Sequence, residues 1–457
     1  MMSRAVSITE HRALVEGALP VLDPVELPLE RCRGLVAAAP VEALLPVPPF
    51  TNSAMDGFAV RAQDLVPDPD GVVDLPVAGD VPAGDTRRNA LEPGTAWRIM
   101  TGAPVPEGAD TVVKVEMTDH AAGISEAPAR VRIHELPAPG ANVRMRGEAV
   151  APGALVLPAG TVLEAGALAA AASVGRGSLL VHRRPRVLVV ATGSELAAPG
   201  EPLSHGRIPD SNGLMLAALV EEAGAEVAGV LVVRDEPAEF LRLLARSPEA
   251  DLVVTAGGIS EGAFEVVRLA IGECGLFHHV AQQPGGPQGV GVLPLGPSAR
   301  EVPVICLPGN PVSVFVSFHV YVAGALARMA GRGAAPADAA PPSDDSGASS
   351  SDSTGSTAPA LVDGIAAARW TSPKAKTQFI PVREARPQEI DAAPAGALDS
   401  AGASVPVVPV HALGSGSHLV SSLADADYLA VVPEEVREVV PGLRLDLIPV
   451  LGRNPRP

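Results

Sequence analysis

Between residues 185 and 330 a short apolar run gives way to a glycine- or proline-rich loop and then to a helical pattern, and it does so repeatedly. Arg186-Val187-Leu188-Val189-Val190-Ala191 is β-branched and shows no polar alternation, as expected of a parallel strand buried on both faces. It ends in Thr192-Gly193-Ser194-Glu195. A capping signal, Asp210-Ser211-Asn212, precedes apolar residues at helical spacing that stop near Gly224. A second strand, Val227 to Val233, ends in Arg234-Asp235-Glu236-Pro237, with Pro237 suited to the first helical position. A third, Asp251 to Thr255, ends in Ala256-Gly257-Gly258-Ile259-Ser260 before the helical pattern AFEVVRLAIGECG. A fourth, around Val302-Pro303-Val304-Ile305, ends in CLPGNPVS, residues 306–313. Repeated strand-to-helix units imply a doubly wound sheet with right-handed crossovers, so the four loops are expected at one edge.

Ligands of open α/β sheets sit at that edge, where helix N-termini offer N–H groups and a positive dipole end to an anion. Gly309 lets backbone approach closely, while Pro308 and Pro311 stiffen the loop and remove donors. Glu195, Asp235 and Glu265 follow the first three strands. Any one of them is accounted for by the preference of acids for the first turn of a helix. Placed jointly around an anion they call for a cation, and hard oxygen ligands suit Mg²⁺ bridging to phosphate.

The remaining sequence sets limits. At 457 residues the chain is too long for one core, which implies about three or four domains. Aromatics make up only 3%, so the cores must be built from Ala, Val and Leu. A net charge of −18 opposes attraction to nucleic acid or anionic lipid. Cys32, Cys274 and Cys306 form neither a metal nor a disulfide pattern, and reduced buried thiols are expected. MMSRAVSITEHRALVEGALPVL has no continuous apolar core before a cleavage site, so it does not read as a signal peptide and a cytoplasmic protein is expected. PVSVFVSFHVYVAGALA contains His319 and two serines and falls short of the roughly 20 apolar residues of a membrane span, so it reads as a buried helix. Residues 331–360 are nearly devoid of large apolar side chains and read as a disordered linker. Weaker punctuation falls at LPVPPFTN, residues 45–52, and at RRPR, residues 183–186, which ends a long apolar helix-like stretch. No internal repeat is evident.

Eight segments, in order along the chain, carry a resemblance: NSAMDGFAV (52–60), RIMTGAPVPEGADTVV (98–113), RGE (146–148), ATGSEL (191–196), TAGGIS (255–260), QPGGPQG (283–289), LPGNPVS (307–313) and GSGSH (414–418). Together they closely resemble the molybdopterin molybdenumtransferases, the family of bacterial MoeA and the gephyrin E domain. The resemblance implies a multidomain α/β plus β chain. Residues 1–45 and 141–184 would form a discontinuous, elongated helical dimerisation region and 46–140 an inserted β-rich domain. Residues 185–330 would form the doubly wound α/β molybdopterin-binding domain, and 361–457, after the linker, a small C-terminal β-barrel. It implies an enzyme that takes adenylylated molybdopterin and molybdate, inserts the metal and releases AMP. The expected partners are a second copy of the chain, as a homodimer, and transient contacts with other molybdenum cofactor biosynthesis proteins, with no nucleic acid and no membrane.

By the same resemblance Asp235 and Glu265 would hold Mg²⁺, and Glu195 and Ser260 would orient substrate. Gly193, Gly257, Gly258, Pro308, Gly309, Asn310, Pro311 and Ser313 would shape the pterin-nucleotide pocket. Asp56 and Thr101 would reach the cleft from the partner protomer, and Ser417 would contribute near it. Without the resemblance, Met55-Asp56-Gly57 is a hairpin turn and Thr101-Gly102-Ala103-Pro104 a loop. Three departures stand out. Gly262-Ala263-Phe264-Glu265 replaces the family's Gly-Glu-x-Asp. Gln283 and Gly286 stand where members with KPGKP use lysines to hold the oxyanion, and Ala149 stands where an aspartate is usual. Arg268, Lys374, Lys376 or backbone N–H groups are the candidates to attract molybdate instead. Two alternatives to the active transferase therefore stay open: a non-catalytic molybdopterin-binding scaffold, and an enzyme of the preceding adenylylation step.

Overall fold

The computed structural model describes residues 5–121, 123, 126–259, 265–333, 359–391, 404–411 and 419–453. By compactness the chain divides into one unit of Met1–Val25, Gly34–Ala38 and Val181–Pro457 and a second of Glu26–Arg33 and Ala39–Leu180. The first 45 residues are thus shared between units instead of staying together. Helix α1, Ile8–Ala18, belongs to the larger unit. It starts at a capping box in which the Glu10 N–H donates to Ser7 Oγ (3.1 Å) and the Ser7 N–H to Glu10 Oε2 (2.7 Å).

The smaller unit is organised on five strands: β1 (Gly57–Val60), β2 (Val73–Val81), β3 (Ala96–Ile99), β4 (Thr111–Lys114) and β5 (Arg130–Ile133), in the order β4-β1-β3-β2-β5. Alternate residues of β1 face opposite ways, Phe58 and Val60 into one apolar cluster and Ala59 into another. This sheet lies within the segment expected to be β-rich. The flanking region expected to be helical contributes α2 (Ala165–Ser173) and short strand pairs, Val41–Glu42 with Leu155–Leu157 and Asn52–Ser53 with Val143–Arg144. The stretch ahead of RRPR is not helical throughout, because Ser178–His182 is a strand.

In the larger unit the chain alternates β6 (Arg186–Thr192), α3 (Asn212–Glu222), β7 (Glu226–Val233), α4 (Pro237–Leu244), β8 (Leu252–Ala256) and α5 (Val266–Ile271). It continues with β9 (Gly275–His279), β10 (Pro287–Leu295), β11 (Arg300–Leu307) and α6 (Pro311–Met329). The sheet order is β7-β6-β8-β11-β10-β9. The first four strands are parallel, and β10 runs antiparallel to both of its neighbours. Val187 and Val189 of β6 pack into a core with α1, α3 and α6, while Leu188 and Val190 pack with α4 and α5. Helix α6 is long and apolar enough to pass for a membrane span, but it is 78% buried in that core, as its sequence suggested.

Five strands close the C-terminal barrel: β12 (Val362–Ala366), β13 (Thr377–Glu384), β14 (Val405–Pro409), β15 (Tyr428–Val432) and β16 (Arg444–Pro449). They pair in the ring β13-β14-β12-β16-β15-β13. Gln282–Gln283 adds to β13 as a parallel strand, and Phe379, Leu429 and Ile448 share a core cluster with α6. Of the expected linker, residues 334–358 lie outside the described residues. All three cysteines are free. Cys32 and Cys306 are buried as expected, but Cys274 is exposed.

His319 of α6 is fully enclosed. Its Nε2 accepts from the Leu451 N–H (3.1 Å), so the ring proton sits on Nδ1 and is donated to Phe315 O (2.8 Å). Burial pushes this imidazole down to about 4, and it pushes His11 on α1 down to about 3, with His278 alongside adding to the effect. Below pH 6.5 the unfolded chain takes up protons that the folded chain refuses. Stability from these residues is therefore complete above pH 6.5 and is lost as the pH falls towards 4. Urea unfolding followed by circular dichroism is expected to show each histidine withdrawing up to about 2 kcal/mol between pH 7 and pH 5. His319→Gln should remove its share of that slope.

Candidate functional site

The loops after β6, β7, β8 and β11 meet at one rim of the sheet and border a solvent-open cleft of about 300 Å³. Gly193, Glu195, Asn212, Asp235, Gly257, Gly258, Glu265, Gly309 and Pro311 are among the residues that line it. Four parallel strands necessarily deliver their carboxyl ends to the same side. The loops are then tied to one another. The Ser194 N–H donates to Asp235 Oδ2 (2.9 Å) and the Asp235 N–H to Ser194 Oγ (3.2 Å), which joins the first loop to the second. The Gly257 N–H donates to Leu307 O (3.1 Å), and Asn212 Nδ2 to Gly309 O (2.7 Å).

Two glycines are dictated by space as well as by backbone. Gly257 has φ +93°, and a Cβ there would stand 2.8 Å from Thr192 O; at Gly258, φ +69°, a Cβ would stand 2.9 Å from Val267 Cγ2. Gly309 differs. Its φ is unexceptional, and a Cβ would meet only the Gly257 backbone, Cα at 3.4 Å and N at 3.9 Å. These are ordinary van der Waals contacts between two neighbouring loops.

At two of the helices, α3 and α6, the ends do not offer the open donors expected of them. Asn310 Oδ1 accepts from the N–H groups of Val312 (3.1 Å) and Ser313 (3.3 Å), and Pro311 has no N–H to give. At α3 the buried Asp210 takes the N–H groups of Asn212 and Gly213, both at 3.0 Å. Self-capping of this kind leaves the dipole in place but consumes the hydrogen-bonding groups. Pro308 and Ser313 are buried behind the loop, and they shape it from below without lining the cleft.

The electrostatics follow from the lining. Glu195, Asp235 and Glu265 face a cleft to which, among the described residues, no Lys, Arg or His contributes. Phosphate in such a cleft requires a cation between it and the carboxylates. Hard carboxylate oxygens suit Mg²⁺, which completes its shell with water and substrate phosphates and does not need a protein cage. Among the described residues no three His, Cys, Asp or Glu gather closely enough to form a closed metal site.

Asp56 and Thr101 lie in the smaller unit, in contact with each other. Asp56 Oδ1 accepts from both the N–H and the hydroxyl of Thr101, each at 2.7 Å, and the backbone donor above all holds this carboxyl below the usual range. Gly57 beside it is obligatory, since a Cβ would fall 1.9 Å from Val113 O on the neighbouring strand. The two motifs, far apart in sequence, thus form one structure. Ser260 and Ser417 lie outside the described residues. Of the alternative cationic candidates, Arg268 stacks 5.4 Å over the Phe277 ring, and Lys374 and Lys376 are exposed. Gln283 is half-buried in the strand that pairs with the barrel. Sequence reasoning overlooked Ser194 and the cleft-facing part of Asn212. The Asp-Ser-Asn signal was legible only as a cap.

Comparison with known proteins covers most of the chain. Residues 6–175 match the MoeA N-terminal region (domain I and II), 188–328 a probable molybdopterin binding domain, and 363–450 the MoeA C-terminal region (domain IV). Molybdopterin molybdenumtransferase 2 of Mycobacterium tuberculosis is 44% identical over 334 residues, covering 71% of this chain and 79% of that protein. The molybdopterin molybdenumtransferase of Haemophilus influenzae is 35% identical over 332 residues, covering 72% and 78%. Among solved structures, the molybdopterin biosynthesis MoeA protein of Pyrococcus horikoshii is similar with a TM-score of 0.74 at 27% identity, over 98% of this chain and 100% of that one.

The two loop glycines separate by substitution. Gly257→Ala should cost roughly 2–3 kcal/mol, from positive φ plus a backbone clash, whereas Gly309→Ala should stay within about 0.5 kcal/mol of the parent. Chemical denaturation of both variants measures the difference.

Proposed function

The chain belongs to the molybdopterin molybdenumtransferase family, and from that membership we propose that it inserts molybdate into adenylylated molybdopterin and releases AMP. The observation that carries the reading is the convergence of four strand-to-helix loops and three carboxylates on one cleft to which, among the described residues, no cationic side chain contributes. Cleaving a phosphoanhydride calls mainly for positioned charge. In this reading Asp235 and Glu265 hold Mg²⁺, which neutralises charge developing on the phosphates. The tie between Ser194 and Asp235 presets the orientation of that carboxylate before substrate arrives. Glu195, with Ser260, orients substrate. Gly257, Gly258 and Gly309 keep the floor of the cleft open to close backbone approach, and capping by Asn310 holds the loop before α6 in one shape.

The protein acts, on this proposal, as a cytoplasmic homodimer in which the Asp56–Thr101 pair of one protomer serves the cleft of its partner, and Ser417 contributes near the cleft. Molybdate is drawn by Arg268, Lys374, Lys376 or backbone N–H groups, since Gln283 and Gly286 supply no charge. That same lysine-free loop favours a second reading, a relative that binds molybdopterin without turnover.

Incubation of purified protein with adenylylated molybdopterin, Mg²⁺ and molybdate distinguishes the two. Release of AMP together with functional cofactor is expected, and tight pterin binding with no AMP released would establish the second reading instead. Asp235→Ala should fold, losing about 1 kcal/mol with the Ser194 hydrogen bond, and should abolish turnover. Unchanged AMP release by this variant would remove Asp235 from the metal site.

A further inference from the structure

One polar atom at the cleft has no partner in the protein. Asn212, the first residue of α3, lines the cleft and is only 7% exposed. Its amide nitrogen donates to Gly309 O at 2.7 Å, and its Oδ1 receives no hydrogen bond. The orientation of this amide is fixed by chemistry: a backbone carbonyl can only accept, so the atom against Gly309 O must be Nδ2 and the other must be oxygen. A buried acceptor left unpaired is costly, and such atoms in native proteins call for an explanation, a ligand being one. The neighbours narrow the choice. Asn212 lines the cleft together with Glu195, Asp235 and Glu265, so an anionic ligand oxygen would be disfavoured beside it. What Oδ1, itself enclosed, suits is a hydrogen-bond donor that reaches it from the cleft.

We propose that Asn212 is a specificity-determining residue, whose Oδ1 accepts a hydrogen bond from an exocyclic amino group of the substrate's heterocycle. The proposal rests on the reading of this cleft as the pterin-nucleotide site. Both halves of that substrate carry such a donor, the exocyclic amine of adenine and the 2-amino group of pterin. Because the same amide holds Gly309 through Nδ2, recognition of the heterocycle and the position of the loop before α6 depend on one side chain.

The test is calorimetric titration of the full-length protein with two pairs of probes. AMP is compared with IMP, in which a carbonyl replaces the adenine amine, and pterin with lumazine, in which a carbonyl replaces the 2-amino group. The parent protein is expected to prefer the amino member of one pair by about tenfold, the pair identifying which half of the substrate is read. Asn212→Ala should bring that ratio close to one. Asn212→Asp, which keeps an acceptor oxygen but loses the donor to Gly309, should bind more weakly overall and retain the preference. A purely structural role would weaken both members of a pair equally and leave the ratio intact in Asn212→Ala, and that result overturns the proposal. So does a parent protein that releases AMP from adenylylated molybdopterin yet binds the members of both pairs equally, an outcome that spares the transferase reading. Failure of all four probes to bind, with no AMP release, would overturn both.

Discussion

Strand β6 has no surface that can face water. Both of its edges are hydrogen-bonded, to β7 and β8, and both of its faces are apolar, with Val187 and Val189 in one core and Leu188 and Val190 in the other. Such a strand is stable only with a helix layer on each side. Covering both faces while keeping neighbouring strands parallel forces each connection to cross over the sheet and return to the same end. The rim where the loops meet is therefore a consequence of burying a few valines and leucines. Ser194, Asn212, Asp235, Gly257 and Gly309 are brought together by that requirement before any of them contacts another.

Within the rim, the polar chemistry is settled by what each group has already committed. The first N–H groups of α3 and α6 are taken by Asp210 and Asn310, so these two helix ends have no open donors left for phosphate. Glu195, Asp235 and Glu265 line the cleft together with Asn212. Carboxylates disfavour an anionic ligand beside them unless a cation accompanies it.

Local pattern made much of this legible. Unbroken β-branched runs, capping residues and loop glycines depend on neighbours within a few positions, so the four parallel strands, the buried α6 and the acids at the loop starts could be read from the chain. What escaped depends on distant partners. The antiparallel strands β9 and β10 lie between turns rich in proline and glycine, where the run of parallel units had set the expectation. Ser178–His182 is apolar enough to resemble the end of a helix, and its pairing with Val36–Ala37 is not visible locally. The Asp-Ser-Asn signal showed a cap, but the side chain of Asn212 is directed by Gly309, 97 positions away. The exposure of Cys274 follows from its place in a short turn between α5 and β9.

The pairing of Gln282–Gln283 with β13 bears on how the barrel is held. A segment between β9 and β10 contributes a strand to the barrel, and Phe379, Leu429 and Ile448 seat the barrel's other side chains in the core around α6. The address of the barrel is thus written in noncovalent contacts with segments far from it in sequence.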